Sequence, residues 1–307
     1  MTEKQIEYIL AIEKYRSISK AAESLKISQP YLSQFLSNIE ADIGYKLFDR
    51  SAYPITITPY GEAYVETAKE INNLEIDLKN RLNELNNSYT GKISIAVPSH
   101  VSMGTIPGVI RSFHVNYPKY KINVITDSID DYADAIKTGI VDIAISAMEL
   151  EDASIGAIST KAAMLIVAAP NNYDIIDDNA DAADTPYPLA DLGKLAGMPF
   201  IQIRSEGGII KERVRDIMKD YLTEDTTVIE CDSYFLCTAL IQEGLGASII
   251  PSTCINPDAQ PSNVSYYCVP FREDPRDISV YYRKKAYISK PMEDFINLII
   301  QSLHKTL

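Results

Sequence analysis

The chain has 307 residues, of which 46% are hydrophobic and 23% charged, and its net charge of −13 excludes a protein that coats nucleic acid by charge alone. Its longest uninterrupted apolar run, Ala162–Ala169, is far shorter than the ~20 residues of a membrane helix, and Glu7 and Glu13 interrupt the apolar N-terminal residues, which is not typical of a signal peptide. We therefore expect a cytoplasmic protein of about two or three domains, with no membrane partner.

The first residues predict two helices. Thr2 begins a capping-box pattern, and apolar residues follow it at helical spacing. Ser17 or Ser19 is suited to cap a second, short helix. This helix contains the small pair Ala21 and Ala22, which suits two helices that cross steeply over a tight turn.

A third helix follows and has two contrasting faces. Ser28 is a suitable N-cap, and proline is tolerated in the first turn. At 100° per residue, one face is apolar and consists of Leu32, Phe35, Leu36 and Ile39. The opposite face is small and hydrogen-bonding, as suits a helix that enters a major groove. The candidate DNA-binding residues of this segment are Ser28, Gln29, Pro30, Ser33, Gln34 and Ser37.

A small hairpin is predicted after this helix. Gly44 ends the helix, and Lys46–Phe48 and Ile55–Thr58 have the character of short strands. The loop Asp49–Pro54 between them completes a β-wing, in which Arg50 is the candidate phosphate contact. Together with the helices, this pattern predicts a winged helix-turn-helix, although the same geometry also occurs in protein-interaction domains.

The predicted DNA-binding segment is electrically neutral. Residues 1–61 hold seven Lys or Arg and seven Asp or Glu, so the rest of the chain carries the whole net charge of −13. A sequence-specific DNA reader can be locally neutral if a few cations face the phosphates. We then expect little non-specific binding and a modest salt dependence.

This segment resembles the LysR-type transcriptional regulators. The similarity covers the stretches SISKAAESLKISQPYLSQFLSNIEADIGYKLFDR and ITITPYGEAY, in which the family's characteristic residues recur at fixed spacing. Many family members have Arg directly after the residue equivalent to Ser33, whereas this chain has Gln34. Because glutamine bonds adenine bidentately, our hypothesis is an operator preference that leans towards A·T pairs.

A long helix is predicted from Pro59 to about Asn87. It has a heptad seam, in which Glu75 fills one position and the apolar members are Tyr64, Ala68, Ile71, Leu78, Leu82 and Leu85. One apolar seam on a single helix predicts dimerisation; the alternative is a helix packed on its own domain. The resemblance implies the dimerising linker helix of these regulators, which commonly assemble as tetramers.

Beyond a polar loop at Asn86–Gly91, strands alternate with helices. The first set consists of the predicted strands Lys92–Val97, Ile122–Thr126 and Ile140–Ser146 and the predicted helices Ile106–Val115 and Tyr132–Lys137. The second set consists of the predicted strands Met164–Ala169, Pro199–Ile203 and Thr227–Glu230 and the predicted helices Gly208–Tyr221 and Phe235–Glu243, followed by a strand that ends at Pro251. A last strand, Ile278–Tyr282, and a last helix, Met292–Leu303, close the chain. This order predicts a two-lobed, doubly wound α/β domain.

The order of the segments YPKYKINV, GIVDIAI and EGLGASIIP also resembles the effector-binding domain of the same family, whose lobes look like periplasmic ligand-binding proteins. We therefore predict a winged helix-turn-helix at residues 1–58, a linker helix at 59–90 and an effector-binding domain at 91–307. In that domain, lobe I comprises residues 91–162 and 270–307, and lobe II residues 163–269.

The predicted effector cleft lies where strands end, because ligands of open α/β sheets bind outside the carboxyl ends of the strands. The candidate residues are Pro98, Ser99, His100, Thr126, Ser146, Ile203, Arg204, Ser205, Cys231 and Gly246. A helix start after Pro98 is a natural anion site. Arg204 is the candidate partner of a carboxylate. Ala147 stands where some aromatic-acid sensors of the family have a cation.

Other functions are less well supported by the residues. The four cysteines form no CxxC pair and have no zinc-ligand spacing, so we expect reduced thiols, with a Cys231–Cys237 redox switch as the alternative. An enzyme would need a motif such as GxSxG, HExxH, a P-loop or GxGxxG, and the chain has none of them. We therefore expect no metal and no cofactor. A freestanding solute-binding protein would not carry residues 1–60, and a regulator without a small-molecule ligand stays open.

Overall fold

The computed structural model describes residues 1–51, 53–86, 89–129, 131–178, 185–204, 209–221, 226, 228–256, 259–270 and 277–305. The N-terminal part consists of α1 (Glu3–Tyr15), α2 (Ile18–Ser24), α3 (Gln29–Ile43), β1 (Phe48–Asp49) and β2 (Thr56–Ile57). Each helix begins at a hydroxyl side chain that accepts a backbone N–H, namely Thr2, Ser17 or Ser28.

One apolar cluster holds the three helices and the hairpin together. It includes Ile9 of α1, Leu36 of α3 and Phe48 of β1, and Ala21 and Ala22 of α2 are fully buried within it. The hairpin pairs Phe48 with Ile57 and Asp49 with Thr56, so both strands are shorter than the sequence predicts. The N-terminal part of the chain is therefore a helix-turn-helix with a small β-wing.

A long helix, α4 (Pro59–Leu85), follows the hairpin directly. Thr58 caps it by accepting the N–H of Gly61. A Cβ atom at Gly61 would lie 2.0 Å from the carbonyl oxygen of Leu47, so only glycine lets α4 approach the hairpin so closely. The first turns of α4 pack against α1, where Val65 and Ala68 are buried.

Lobe I is built on a five-stranded sheet in the order β4-β3-β5-β12-β6. Its elements are β3 (Gly91–Ala96), α5 (Ser99–Gly104), α6 (Ile106–Asn116), β4 (Tyr120–Ile125), α7 (Tyr132–Lys137), β5 (Ile143–Ser146), β6 (Ile155–Ala162), β12 (Asp277–Arg283) and α10 (Lys290–Lys305). Strands β3, β4 and β5 are parallel, as predicted, whereas β12 runs antiparallel to β5 and β6. Helices α6 and α10 cover one face of the sheet with a continuous apolar core.

Lobe II follows β6 in the chain. It contains β7 (Leu165–Pro170), β8 (Phe200–Ile203), α8 (Ile209–Met218), β9 (Val228–Cys231), α9 (Tyr234–Gln242), β10 (Ser248–Pro251) and β11 (Val264–Cys268). β8 and β9 are parallel, but β10, β7 and β11 form an antiparallel sheet. A bridge between Phe200 and Ala247 joins the two sheets. This lobe is therefore only partly of the parallel type predicted from the sequence.

The chain crosses between the lobes twice, after β6 and after β11. Strand β12 and helix α10 thus return to lobe I, as the sequence pattern predicts. Across the described ranges, no helix is both long and apolar enough to span a membrane.

Candidate functional site

The outward face of α3 is polar and carries no charge over its first two turns. Gln29, Pro30 and Gln34 are exposed, while Ser33 and Ser37 are partly buried. Ser28 lies at the start of this face and uses its hydroxyl to cap the helix. Leu32 and Leu36 turn inward and are fully buried, so packing fixes which face of α3 is presented to solvent.

A buried carboxylate joins α3 to the hairpin. Glu40 is 3% exposed, and its Oε1 accepts the backbone N–H groups of Leu47 at 2.9 Å and Phe48 at 3.3 Å. Its Oε2 accepts Lys46 Nζ and Arg50 Nη2, each at 2.9 Å. Burial by itself raises the pKa of Glu40, but these hydrogen bonds and the two cations outweigh it and lower the pKa overall.

Arg50 is engaged at this junction instead of standing out from the wing. Besides its ion pair with Glu40, its Nη1 donates to Ser33 Oγ at 3.4 Å and to Ser37 Oγ at 3.3 Å. The guanidinium therefore ties the hairpin to α3 beside Ser33 and Ser37 of the candidate DNA-binding face, and the Arg50 side chain is partly exposed. The ion pair with Glu40 holds the guanidinium in place, and the role of Arg50 as a phosphate contact stays a prediction.

Sequence reasoning missed one exposed residue on this face. Asn38 lies one turn after Gln34, and its Oδ1 accepts Gln34 Nε2 at 2.9 Å. The spacing of four residues between two amides on one helix was the available signal.

An exposed apolar stripe runs along the second half of α4, and we define it as Ile71, Leu74, Leu78, Leu82 and Leu85. The four leucines are 65%, 55%, 50% and 80% exposed in the single chain. The predicted seam differs from this stripe at two places. Tyr64 and Ala68 pack inside the chain near α1, and Leu74 lies on the stripe where the prediction used Glu75.

A different face of α4 binds lobe I through polar contacts. Asn73 Nδ2 donates to the carbonyl of Lys137 at 3.1 Å, and Arg283 Nη2 lies 3.2 Å from Asp77 Oδ1. Farther along, Glu84 accepts the hydroxyl of Tyr287. At 100° per residue, these positions lie away from the apolar stripe, so docking on lobe I leaves the stripe uncovered.

The carboxyl ends of the strands bring some of the predicted effector residues together. Because β3, β4 and β5 are parallel, Pro98, Thr126 and Ser146 lie at one edge of lobe I. On lobe II, Ile203 and Cys231 end the paired strands β8 and β9. Helix α5 bridges the lobes, since it packs against α9 and the 3₁₀ turn Ser252–Cys254.

At this bridge the two lobes meet through side chains. The ring of His100 lies 5.6 Å from that of Tyr234, and Met103 packs into an apolar cluster of lobe II. Gly104 permits the contact, because a Cβ there would lie 2.3 Å from the carbonyl oxygen of Thr253. Tyr234 was not predicted, since nothing in the sequence connects it with the end of β3.

The predicted anion site at the start of α5 is already in use by the protein. The N–H of Ser99 donates to Asp127 Oδ1 at 3.2 Å. Asp127 adopts a left-handed backbone with φ of 50° two residues after β4, next to the predicted Thr126. The Ser146 hydroxyl is likewise engaged and accepts the N–H of Met148 at 2.9 Å.

The other three predicted effector residues are Arg204, Ser205 and Gly246. Arg204 follows β8, is 73% exposed and pairs with Glu230 of β9 at 2.8 Å, and its role as the partner of an effector carboxylate stays a prediction. Gly246 serves packing within lobe II, since a Cβ there would lie 2.7 Å from the carbonyl oxygen of Pro199. Ser205 lies outside the described residues.

The four cysteines are buried and form no disulfide. Cys231, Cys237 and Cys254 share one apolar cluster of lobe II. Burial raises the pKa of Cys237 to about 12 and that of Cys254 well above its usual value. Because the thiolate is the reactive form, this environment favours the expectation of inert, reduced thiols over a redox switch.

Comparison with known proteins matches both parts of the chain. Residues 4–62 match the bacterial regulatory helix-turn-helix protein model of the lysR family, and residues 86–303 match the LysR substrate binding domain. The chain is 24% identical to the HTH-type transcriptional regulator YcgK of Bacillus subtilis, over 99% of this chain and 95% of that protein.

Two solved structures share the fold along nearly the whole chain. A full-length OxyR variant from Pseudomonas aeruginosa has a TM-score of 0.61 at 19% identity and covers 99% of this chain and 95% of its own. Full-length CbnR in complex with its target DNA has a TM-score of 0.58 at 18% identity and covers 98% and 100%. The matched models span both the helix-turn-helix and the two-lobed domain, and the chain therefore belongs to the LysR family of DNA-binding transcriptional regulators.

Proposed function

We propose that this regulator reads its operator with the outward face of α3 and adjusts its promoter activity through a small molecule bound between its lobes. The observation that carries the first part is the uncharged, hydrogen-bonding face of α3. Such side chains meet base edges in a major groove. The proposed DNA-contacting set is Ser28, Gln29, Pro30, Ser33, Gln34, Ser37 and Arg50, in which Arg50 also donates hydrogen bonds to two of the serines.

The three segments 1–58, 59–90 and 91–307 are proposed to act as DNA reader, dimerisation helix and sensor. Members of this family bind double-stranded DNA and small-molecule effectors and form oligomers, and CbnR supports the first point, since its structure is a complex with target DNA. We assign homodimerisation to the apolar stripe of α4 and propose a tetramer as the full assembly. The proposed role is regulatory, not catalytic, and it is exercised in the cytoplasm, where the operator is.

The proposed effector cleft lies around α5 between the lobes. It retains Pro98, Ser99, His100, Thr126, Ser146, Ile203 and Cys231 from the predicted set, and it adds Asp127 and Tyr234. Because Asp127 occupies the N–H of Ser99, an effector carboxylate at this point would have to displace the protein's own. A ligand that favours one arrangement of the lobes shifts the population of that arrangement, and hence the seating of the dimer on DNA.

The first test is a mobility-shift titration of the full chain on DNA from its own upstream intergenic region, with unrelated competitor DNA. We expect a discrete shift that the double variant Ser33→Ala/Gln34→Ala loses, because it removes two hydrogen-bonding groups from the outward face. The variant should keep its helical circular dichroism, since Ser33 and Gln34 are not part of the core. An unchanged shift in the double variant would contradict the assignment of this face.

A modest salt dependence is also expected. Lys46 and Arg50 share the carboxylate of Glu40, and Arg16 lies 3.8 Å from Glu13, so three of the seven cations in residues 1–61 are paired with carboxylates of the protein itself. Each DNA phosphate that the protein neutralises contributes about −0.9 to the slope of the logarithm of the binding constant against the logarithm of the salt concentration. Binding constants can be measured by fluorescence anisotropy between about 50 and 200 mM NaCl. We expect the slope of log K against log salt concentration to be shallower than about −5 per dimer. A slope of about −8 or steeper would show many phosphate contacts and contradict this view.

A further inference from the structure

Two amide side chains on α3 form a hydrogen-bonded pair on the proposed DNA-contacting face. Gln34 Nε2 donates to Asn38 Oδ1 at 2.9 Å, and both residues are exposed. Neither amide takes part in the junction around Glu40, which lies on the other side of the helix. The hydrogen bond therefore orders two surface side chains that have no role in the core.

The serines of the same face are held in a different way. Arg50 donates to Ser33 Oγ and Ser37 Oγ, and Ser37 Oγ also donates to the carbonyl of Ser33 at 3.0 Å. Part of the hydrogen-bonding capacity of both hydroxyls is thus used inside the protein. The Gln34–Asn38 pair is more fully available to an external partner, because it lies outside this network.

The pair leaves Gln34 with the groups that adenine requires. Adenine shows an acceptor, N7, and a donor, the N6 amino group, in the major groove, and glutamine bonds both at once. After one N–H of Gln34 is given to Asn38, its Oε1 and its second N–H stay available as acceptor and donor. A long side chain that is already oriented loses less conformational freedom when it binds.

We propose that Asn38 is a positioning residue that holds the amide of Gln34 in the orientation for reading an A·T pair. This inference rests on the proposed function of α3 as the base-reading helix. Asn38 acts through Gln34, so its removal should weaken discrimination at the base pair that Gln34 contacts and at no other.

The experiment measures competition binding of the full chain to its upstream intergenic DNA and to a set of duplexes in which each operator base pair is replaced in turn. The proteins are wild type, Gln34→Ala, Asn38→Ala and Asn38→Asp. Asp42→Ala is the matched control, since Asp42 is an exposed polar residue one turn farther along α3. The base pair at which Gln34→Ala abolishes discrimination is the Gln34 contact.

We expect Gln34→Ala to reduce discrimination at one A·T pair by about 5- to 150-fold, the range for a bidentate contact. Asn38→Ala should reduce discrimination at the same pair by about 2- to 10-fold, which corresponds to one hydrogen bond. Asn38→Asp keeps the acceptor for Gln34, so it should retain the base preference while its charge weakens binding to all duplexes alike. Asp42→Ala should leave the preference unchanged at every position.

The experiment distinguishes a failure of base recognition by α3 from a failure of the positioning role of Asn38. If Gln34→Ala leaves the preference at every base pair unchanged, base recognition by this face of α3 is wrong, and the role of Asn38 is wrong with it. If Gln34→Ala changes the preference but Asn38→Ala behaves as wild type, only the positioning role is overturned. A loss of discrimination by Asn38→Ala at a different base pair would also overturn it, because Asn38 would then contact a base itself.

Discussion

Leu78→Glu in the apolar stripe of α4 is expected to split the dimer and abolish specific DNA binding. Leu78 is 55% exposed in the single chain and lies at the centre of the stripe. A leucine buried at an interface contributes about 1.5–3 kcal/mol, and each dimer has two such positions. Placing two carboxylates there adds repulsion and desolvation, so the dimer dissociation constant should rise by at least about 100-fold.

Sedimentation equilibrium measures this constant, and the mobility shift measures its consequence for DNA. Ile76→Glu is the matched control, because Ile76 is a 37% exposed apolar residue on the same helix but points away from the stripe at 100° per residue. The control should stay dimeric. A dimeric Leu78→Glu protein, or equal dissociation in both variants, would refute dimerisation through the stripe.

Glu40→Ala is expected to cause the largest loss of stability in the N-terminal domain. The buried carboxylate accepts two backbone N–H groups and two cations, and its removal leaves the N–H groups of Leu47 and Phe48 without their acceptor. Each unsatisfied buried donor costs about 1–3 kcal/mol. We expect the free energy of opening, measured by hydrogen exchange of the α3 amides, to fall by about 3 kcal/mol.

The exposed Glu23 of α2 provides the control, and Glu23→Ala should change this protection little. Glu40→Gln should lie between the two, because its amide oxygen can still accept both backbone N–H groups while the charge that pairs with Lys46 and Arg50 is lost. Protection in Glu40→Ala equal to that of Glu23→Ala would contradict the role of Glu40 as the junction between helix and hairpin.

The same carboxylate makes the stability of this domain depend on pH. The pKa of Glu40 is lowered below the ordinary 4.5 in the folded state, so the folded protein binds this proton less readily than the unfolded chain. Its stabilising contribution is therefore present above the ordinary value and is lost as the pH falls through the folded pKa. The difference in protection between wild type and Glu40→Gln should shrink correspondingly at acid pH.

The sequence alone determined features that depend on local chemistry. Hydroxyl caps, the alanine pair of α2 and the two faces of α3 follow from hydrogen bonding and periodicity within a few residues, and the structure confirms them. The parallel strands of lobe I also follow from local alternation of strand and helix. The resemblance to LysR-type regulators, confirmed by the comparisons, rests on the residues and order of several short segments.

Only the tertiary structure decided which distant groups meet. Arg50 lies beside α3 because the hairpin brings it to Glu40, and Asp127 reaches Ser99 because β3 and β4 are neighbours. The first turns of α4 pack on α1, which shortens the exposed stripe, and the antiparallel sheet of lobe II joins strands far apart in the chain. Spacing along the sequence does not determine these contacts, because each depends on how separately formed elements pack against one another.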